Sequence, residues 1–230
     1  MSAGYQVLPY GDCAVLVELG SLDAVLELSM LLSGGDSLGT ATARPAEVRE
    51  VIPAARTILI SYLPGPGVKS RIREWVAAAI TVGTRGARVG EDSGESDGAV
   101  RSGPRAVTLE VKYNGADLAE VAGLLGRTEA EVVRLHTEST WRAAFAGFAP
   151  GFMYLVTDHA LLTVPRRTSP RTSVEPGSVG LAGEFSGAYP RSSPGGWQLL
   201  GTTTARLWDA KSPAPALIQP GDTVRFVRVP

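Results

Sequence analysis

The sequence contains a single cysteine, Cys13, and only two histidines, His136 and His159. One cysteine excludes a disulfide within the chain and a zinc site built from several thiolates. Neither histidine has a carboxylate or cysteine neighbour at the spacing of a ligand pair. The sequence therefore predicts no metal site built by the protein itself.

The chain also lacks an excess of charge and a long apolar run. It has 22 basic and 23 acidic residues and a net charge of −1, so no general field attracts nucleic acid or an anionic membrane. No stretch approaches the length of a membrane span, and the first residues lack the features of a signal peptide. We expect a cytoplasmic protein with neither a nucleic-acid nor a membrane partner.

The composition of 44% apolar and 20% charged residues is typical of a globular protein. It changes once along the chain, because residues 83–103 are rich in glycine, serine and charge and carry few apolar side chains. Such a composition is typical of a linker. We therefore predict a linker at residues 86–104 between one domain at 1–85 and a second at 105–230.

The first domain has the pattern of an α/β unit. The segments CAVLVEL, EVREVIP and TILISYL are typical of strands, one helix begins after Ser21, and apolar residues from Ile72 to Ile80 mark a second helix. The order strand, helix, strand, strand, helix predicts a split βαβ domain. A further strand is an option at residues 85–89.

The second domain begins with the alternating strand pattern of residues 107–113. Two short helices follow, and both Asp117 with Glu120 and Thr128 with Glu131 have the spacing of a capping box. From Trp141 onward, short apolar pieces such as WRAAF, WQLLG, ARLWD and TVRFVRV alternate with turn residues. This pattern predicts a β-barrel, and the whole chain an α+β fold.

Glycine and proline concentrate between residues 147 and 197, where PRRTSPR brings three arginines together. Guanidinium groups on stiff backbone bind carboxylates or phosphates well, although a solvated turn is the commoner role for such a cluster. Familiar motifs do not fit the rest of the chain. GPGVKS, at residues 65–70, lacks the spacing of a phosphate loop, and GEFSG is not the nucleophile elbow of a hydrolase.

Six motifs in a fixed order carry a specific resemblance: VVRLH, GFAPGFMYL, VPRRTSPR, GSVGLAG, GAYP and SPGGWQLLGTT. Together they closely resemble the allophanate hydrolase subunit 1 family, which includes the B subunit of bacterial 5-oxoprolinase and a Kip-type inhibitor of a histidine kinase. The resemblance implies an N-terminal α/β domain and a C-terminal cyclophilin-like β-barrel. It also implies a likeness to the carboxyltransferase part of urea carboxylase.

The resemblance further implies a subunit of a heteromeric amide or lactam hydrolase, with ATP-dependent 5-oxoprolinase as the first choice. The implied partners are a protein of the allophanate hydrolase subunit 2 type, a third subunit and a small-molecule substrate. ATP is expected in the assembled complex, with the presence of Mg²⁺ left open. Whether this chain or a partner subunit binds the nucleotide is also left open. Inhibition of a sensor histidine kinase and true allophanate hydrolysis are the alternatives.

Site residues follow from the motifs by resemblance. His136, Arg166 and Arg171 become catalytic candidates, although a lone histidine on such a helix is more often a packing residue. The substrate- or anion-binding candidates are Arg167, Tyr154, Tyr189, Gly151, Gly177, Gly195, Gly196 and Phe185. Phe185 is a departure, because relatives commonly have a polar amide there, and it therefore bears on the choice of substrate.

Overall fold

The computed structural model describes residues 4–33, 43–86 and 105–230. Contacts divide the chain into two compact units, Met1–Ala99 and Val100–Pro230, and each unit has its own apolar core. The predicted linker at 86–104 lies outside the described residues apart from Gly86, the last residue of a helix. Within the described ranges, no helix combines the length and the apolar character of a membrane span.

The first unit is a four-stranded antiparallel sheet with two helices. Its elements are β1 (Gln6–Pro9), β2 (Ala14–Glu18), α1 (Leu22–Ser33), β3 (Val48–Pro53), β4 (Thr57–Tyr62) and α2 (Val68–Gly86). The strand order is β1-β2-β4-β3. Because β4 lies between β2 and β3 and is antiparallel to both, β2, α1 and β3 form a split βαβ unit. The predicted α/β arrangement is confirmed.

The outer strand β1 was not predicted from the sequence. It pairs with β2 from Gln6 to Pro9 and occupies the edge next to it. Three of its four residues are exposed, so it lacks the apolar alternation by which a strand is recognised. The further strand considered at residues 85–89 is wrong for its first two residues, because α2 continues to Gly86. Residues 87–89 lie outside the described residues.

The core of the first unit follows the predicted periodicity. Ser21 caps α1, since its Oγ accepts a hydrogen bond of 3.2 Å from the amide of Ala24. The buried residues of α1 are Val25, Leu26, Leu28 and Leu32. They share the core with alternate residues of β4 and with the apolar face of α2, which contributes Ile72, Trp75, Val76 and Ala79.

The second unit contains nine strands and two helices within residues 105–230. The elements are β5 (Ala106–Val111), α3 (Leu118–Leu125), α4 (Glu129–Glu138), β6 (Trp141–Ala146), β7 (Met153–Val156), β8 (Arg171–Val174), β9 (Ser178–Ala182), β10 (Phe185–Ala188), β11 (Ser193–Gly195), β12 (Gln198–Thr202) and β13 (Thr223–Arg228). Seven strands form one sheet in the order β12-β9-β10-β7-β6-β13-β5, and β8 pairs with β11 separately.

This sheet is a nearly closed barrel. Its neighbours are antiparallel except for β5 and β13, which are parallel. A bridge between Lys112 and Thr202 connects the two outer strands. The predicted β-barrel and the α+β class are therefore confirmed. The segment ARLWD differs from the prediction, because it forms an isolated bridge from Trp208 to Ala216 instead of a strand.

The two predicted capping boxes have different outcomes. At α4, Thr128 Oγ1 accepts from the amide of Glu131 at 3.2 Å, and Glu131 accepts from the amide of Thr128 at 2.7 Å. This box is confirmed. At α3, Asp117 occupies the N-cap position but makes no side-chain capping bond. That prediction is wrong, because the carboxylate of Asp117 is held by other groups.

Candidate functional site

Three loop segments of the second unit meet, and we call them the rim: residues 147–152, 165–174 and 189–197. The second and third are joined by the pairing of β8 with β11 and by a bond of 2.8 Å from the Arg167 amide to the Gly196 carbonyl. The first is joined to the third through Tyr189, whose ring centroid lies 6.0 Å from that of Phe148. The glycine- and proline-rich motifs are therefore neighbours in space.

A buried aspartate holds two of the rim arginines. Asp117 Oδ1 accepts hydrogen bonds from Arg167 Nη1 at 2.8 Å and from Arg171 Nη2 at 2.7 Å. Its Oδ2 accepts from the amide of Leu199 at 2.7 Å. Asp117 is only 2% exposed. The carboxylate that the sequence assigned to a helix cap thus fixes β12 and two rim arginines. Their charge is compensated by Asp117 together with Glu120, whose Oε2 lies 3.4 Å from Arg167 Nη1.

The electrostatics of this cluster keep Asp117 ionised. Burial by itself raises the pKa of a carboxyl group, but here hydrogen bonds from Arg171 and the Leu199 amide, with the charges of Arg171 and Arg167, outweigh it. The pKa of Asp117 is therefore lowered. The hydrogen bond to Asp117 in turn raises the pKa of Arg171. Both partners remain charged across the physiological range.

The same cluster contains polar atoms that have no partner. Gln198 is 1% exposed, and its Nε2 donates to Glu120 at 3.3 Å. Gln198 Oε1, Arg167 Nε and Arg171 Nη1 are buried without a hydrogen-bond partner in the described part of the chain. Buried polar groups are normally satisfied. These atoms are therefore the remaining hydrogen-bonding capacity of the rim for water or a ligand.

Arg166 differs from Arg167 and Arg171. Its side chain is exposed, and it has no ion pair within the residues that the structure describes. Its charge acts on Tyr189, where burial raises the pKa of the phenol and Arg166 opposes that rise. Of the three arginines predicted as anion-binding candidates, Arg166 is the one with a guanidinium free to meet an anion.

The predicted aromatic walls form one cluster beside the rim. Tyr154 stacks on Phe145 with centroids 4.5 Å apart, and Phe185 meets both rings edge-on at 5.4 and 5.7 Å. Tyr189 is 1% exposed. Tyr154 and Phe185 are half-buried, whereas Tyr189 belongs to the core beneath the rim. The replacement of a polar amide by Phe185 thus extends an apolar surface.

Three of the rim glycines lie directly against other parts of the protein's own chain. A Cβ on Gly177, where φ is +81°, would lie 2.2 Å from the carbonyl oxygen of Thr203, and one on Gly195 would lie 2.4 Å from Tyr189 Oη. A Cβ on Gly151 would meet Trp208 at 2.8 Å. A side chain at any of these three positions would therefore collide with the protein's own chain, while the role of these glycines in substrate binding stays a prediction. Gly196 has only an ordinary contact, 3.5 Å from Pro170.

Phe148 was not singled out from the sequence, although it lies within the GFAPGF motif. Its φ of +65° makes it a non-glycine residue in the left-handed region, and the Ala149 amide donates to the Gly147 carbonyl at 2.7 Å across it. Such a γ-turn is rare and strained. The side chain is nonetheless 57% exposed. The fold therefore exposes the apolar ring of Phe148 on a residue whose backbone is strained.

Replacing Phe148 with glycine should give a more stable protein than replacing it with alanine, by about 1 kcal/mol. Both variants lose the ring, but only glycine adopts the left-handed backbone without strain. Urea denaturation of the two variants measures the difference. An alanine variant as stable as the glycine variant would show that the turn carries no strain.

His136 lies in the barrel core. Its Nδ1 is hydrogen-bonded to the Tyr113 hydroxyl at 2.7 Å and its Nε2 to Ser186 Oγ at 2.9 Å, while the ring lies 4.1 Å from that of Phe226. The residue is fully buried, and burial lowers its pKa to about 3. His136 is thus a neutral packing residue in this structure, and it is not brought to the rim arginines. No ring atom of His136 is exposed in this structure, so none is available there for the predicted catalytic role.

An α+β chain with this barrel and this arginine-lined rim is a carboxyltransferase-type domain. The family model for the carboxyltransferase domain, subdomains C and D, matches residues 5–218, so the chain belongs to this family. The crystal structure of Kluyveromyces lactis urea carboxylase superposes with a TM-score of 0.69, covering 100% of this chain and 22% of that chain. At 16% identity, this likeness is one of fold.

Sequence relatives place the chain more narrowly, within the branch that the motifs indicated. The B subunit of 5-oxoprolinase from Bacillus subtilis is 32% identical over 246 residues, which cover 100% of this chain and 95% of the relative. The corresponding subunit from Escherichia coli O157:H7 is 44% identical over 136 residues. That match covers 58% of this chain and 62% of the relative, less than two thirds of its length. The predicted family is confirmed.

Proposed function

We propose that this chain is a subunit of a heteromeric ATP-dependent hydrolase that opens 5-oxoproline, in the role of the B subunit of 5-oxoprolinase. The observation that carries this proposal is the match to the Bacillus subtilis protein along the whole chain. The rim supports it, because Arg166 is exposed without an ion pair in the described residues and its charge acts on Tyr189 of the aromatic cluster. A small substrate with a carboxylate suits that combination.

The composition of the rim explains why the site needs a second subunit. Asp117 and Glu120 already compensate Arg167 and Arg171, and His136 is buried. Within the described residues the rim therefore offers two exposed arginines without an ion pair, Arg166 and Arg191, and two buried nitrogens without a partner, which is less than a catalytic set. We propose that a protein of the allophanate hydrolase subunit 2 type completes the rim and contacts the exposed ring of Phe148.

The rim does not fit a nucleotide by itself. A triphosphate requires several uncompensated cations or a phosphate loop. Two of the four rim arginines are bound to Asp117, which leaves Arg166 and Arg191. We therefore propose that ATP binds in the assembled complex, on groups supplied by other subunits. The part of this chain is to bind and orient the substrate.

The test is to co-express this chain with the subunit 2 protein, to add the third subunit, and to measure ATP-dependent release of glutamate from 5-oxoproline. We expect release only from the complete mixture. Each single subunit and each pair is a control. A stable complete complex that releases no glutamate would overturn the proposal, and it would direct attention to other amides and to inhibition of a histidine kinase.

Replacing Arg166 with glutamine should lower the turnover of the assembled complex by at least about tenfold, because the free guanidinium among the three arginines of PRRTSPR is lost. The melting temperature should not change, since the side chain is exposed and makes no ion pair in the described residues. Arg191 is the matched control, an exposed arginine on the same rim. Equal activity of Arg166→Gln and Arg191→Gln would exclude Arg166 from the site.

A further inference from the structure

The first unit contains a cavity of about 290 Å³ at the start of α2. Its lining includes Asp12, Tyr62, Gly65, Gly67, Lys69 and Ser70. This volume is at the lower end of the range for small-molecule sites. The cavity is formed by residues of the first unit, whereas the rim belongs to the second, so it is a separate feature of the protein.

The cavity lies at the amino end of the helix with free backbone donors. In the first turn of α2, the Val68 amide donates to Gly65 and the Arg71 amide donates to Gly67. The amides of Lys69 and Ser70 have no acceptor among the described residues. The first turn also lacks an acidic side chain. Unpaired amides and the helix dipole together favour a negatively charged group at this position.

Tyr62 gives independent support for a ligand. It is 3% exposed and lines the cavity, and its hydroxyl has no hydrogen-bond partner in the described part of the chain. Leaving a buried hydroxyl without a hydrogen-bond partner is unfavourable. A phenol in that position is a donor for a group seated in the cavity. The sequence does not indicate this unpaired hydroxyl, because the burial of Tyr62 is decided by the packing of β4.

The charges of the lining limit the kind of ligand. Lys69 contributes one cation and Asp12 one carboxylate, while Ser70 adds a hydroxyl. The segment lacks the spacing of a nucleotide-binding phosphate loop. One cation and one helix terminus, opposed by one carboxylate, suit a single small oxyanion and do not suit a polyphosphate.

We propose that this cavity is a binding site for a small ligand with an oxyanion group, a carboxylate or a phosphate. The oxyanion accepts hydrogen bonds from the amides of Lys69 and Ser70 and from the Tyr62 hydroxyl, and the Lys69 ammonium compensates its charge. The site does not depend on the hydrolase function proposed for the rim. It gives the N-terminal unit a recognition role of its own.

The proposal is tested by NMR titration of the full-length, ¹⁵N-labelled chain with inorganic phosphate and, in a second arm, with acetate. Sodium chloride at the same ionic strength is the control. We expect the amide signals of Lys69 and Ser70 to shift saturably with one or both anions, and the preferred anion identifies the chemistry. Shifts no larger than those with chloride in both arms would overturn the proposal.

Two variants separate a binding site from a structural feature. Tyr62→Phe should weaken anion binding about tenfold and leave the melting temperature unchanged or higher, because an unpaired buried hydroxyl is removed. Lys69→Gln should weaken binding roughly two- to fivefold, whereas Arg73→Gln, an exposed change on the same helix, should not. If Tyr62→Phe lowers the melting temperature and leaves the affinity unchanged, the hydroxyl serves the fold and the proposal fails.

Discussion

Replacing Asp117 with asparagine is expected to lower the free energy of unfolding by about 3 kcal/mol. The change keeps the shape of the side chain, but it removes the ion-pair partner of Arg171 and leaves Arg167 with only its ion pair to Glu120 at 3.4 Å. Because Asp117 is 2% exposed and accepts three hydrogen bonds of 2.7–2.8 Å, this is the removal of one partner from a buried ionic cluster. Urea denaturation at neutral pH measures the loss.

The matched control for this variant is Asp158→Asn. Asp158 is exposed, and its carboxylate accepts a hydrogen bond from Thr157 at 3.2 Å, so we expect a change within about 0.5 kcal/mol. Combining Asp117→Asn with Arg171→Gln should cost less than the sum of the two single changes, because the second change removes a charge that the first left unpaired. Equal losses for the Asp117 and Asp158 variants would show that the cluster does not stabilise the fold.

Replacing His136 with alanine is expected to lower the free energy of unfolding by about 3–5 kcal/mol. The change opens a cavity beside Phe226 and leaves the hydroxyls of Tyr113 and Ser186 without their common partner. The chain has a second histidine for comparison. His159 is half-buried and hydrogen-bonded to Ser139 Oγ at 2.9 Å, so His159→Ala should cost much less.

The pH dependence of stability tests the same placement of His136. An unfolded histidine has a pKa of about 6.5, whereas burial lowers that of His136 to about 3. Because the unfolded chain binds a proton first, this contribution is fully present above about pH 6.5. It is lost as the pH falls towards 3, by up to about 1.4 kcal/mol per unit.

This loss should disappear in His136→Ala and persist in His159→Ala. The pH slopes of the two variants are best compared in the upper part of the pH range between about 6.5 and about 3. Asp117, whose pKa is lowered in the folded state, contributes stability that is lost only below the ordinary range of aspartate. The same pH slope in both histidine variants would contradict the buried position of His136.

The architecture was largely predictable because it rests on local patterns. Periods of two and 3.6 residues marked the strands and helices of the first unit, and the box at Thr128 marked the start of α4. The edge strand β1 was missed for the same reason, since a mostly exposed strand has no such pattern. The motifs from VVRLH to SPGGWQLLGTT indicated the family, which the match over residues 5–218 confirms.

The site was less predictable, because its residues meet across long separations. Asp117 lies 50 positions from Arg167 and 54 from Arg171, and nothing in the sequence connects them. The spacing from Asp117 to Glu120 suited a helix cap equally well. The three arginines of PRRTSPR were predicted to bind an anion, but Arg167 and Arg171 form internal ion pairs with Asp117. Of the three, Arg166 alone is exposed and has no ion pair in the described residues.

By itself, the sequence determined the family, the α+β class, the order of most elements and the residue types of the rim, since these follow from local periodicity and motif order. Only the tertiary structure decided which groups are free to act. It buried His136, paired Asp117 with two arginines, and left the Tyr62 hydroxyl beside a helix terminus without a partner among the described residues. The physical reason is that desolvation and charge compensation depend on neighbours that the fold brings from distant parts of the chain.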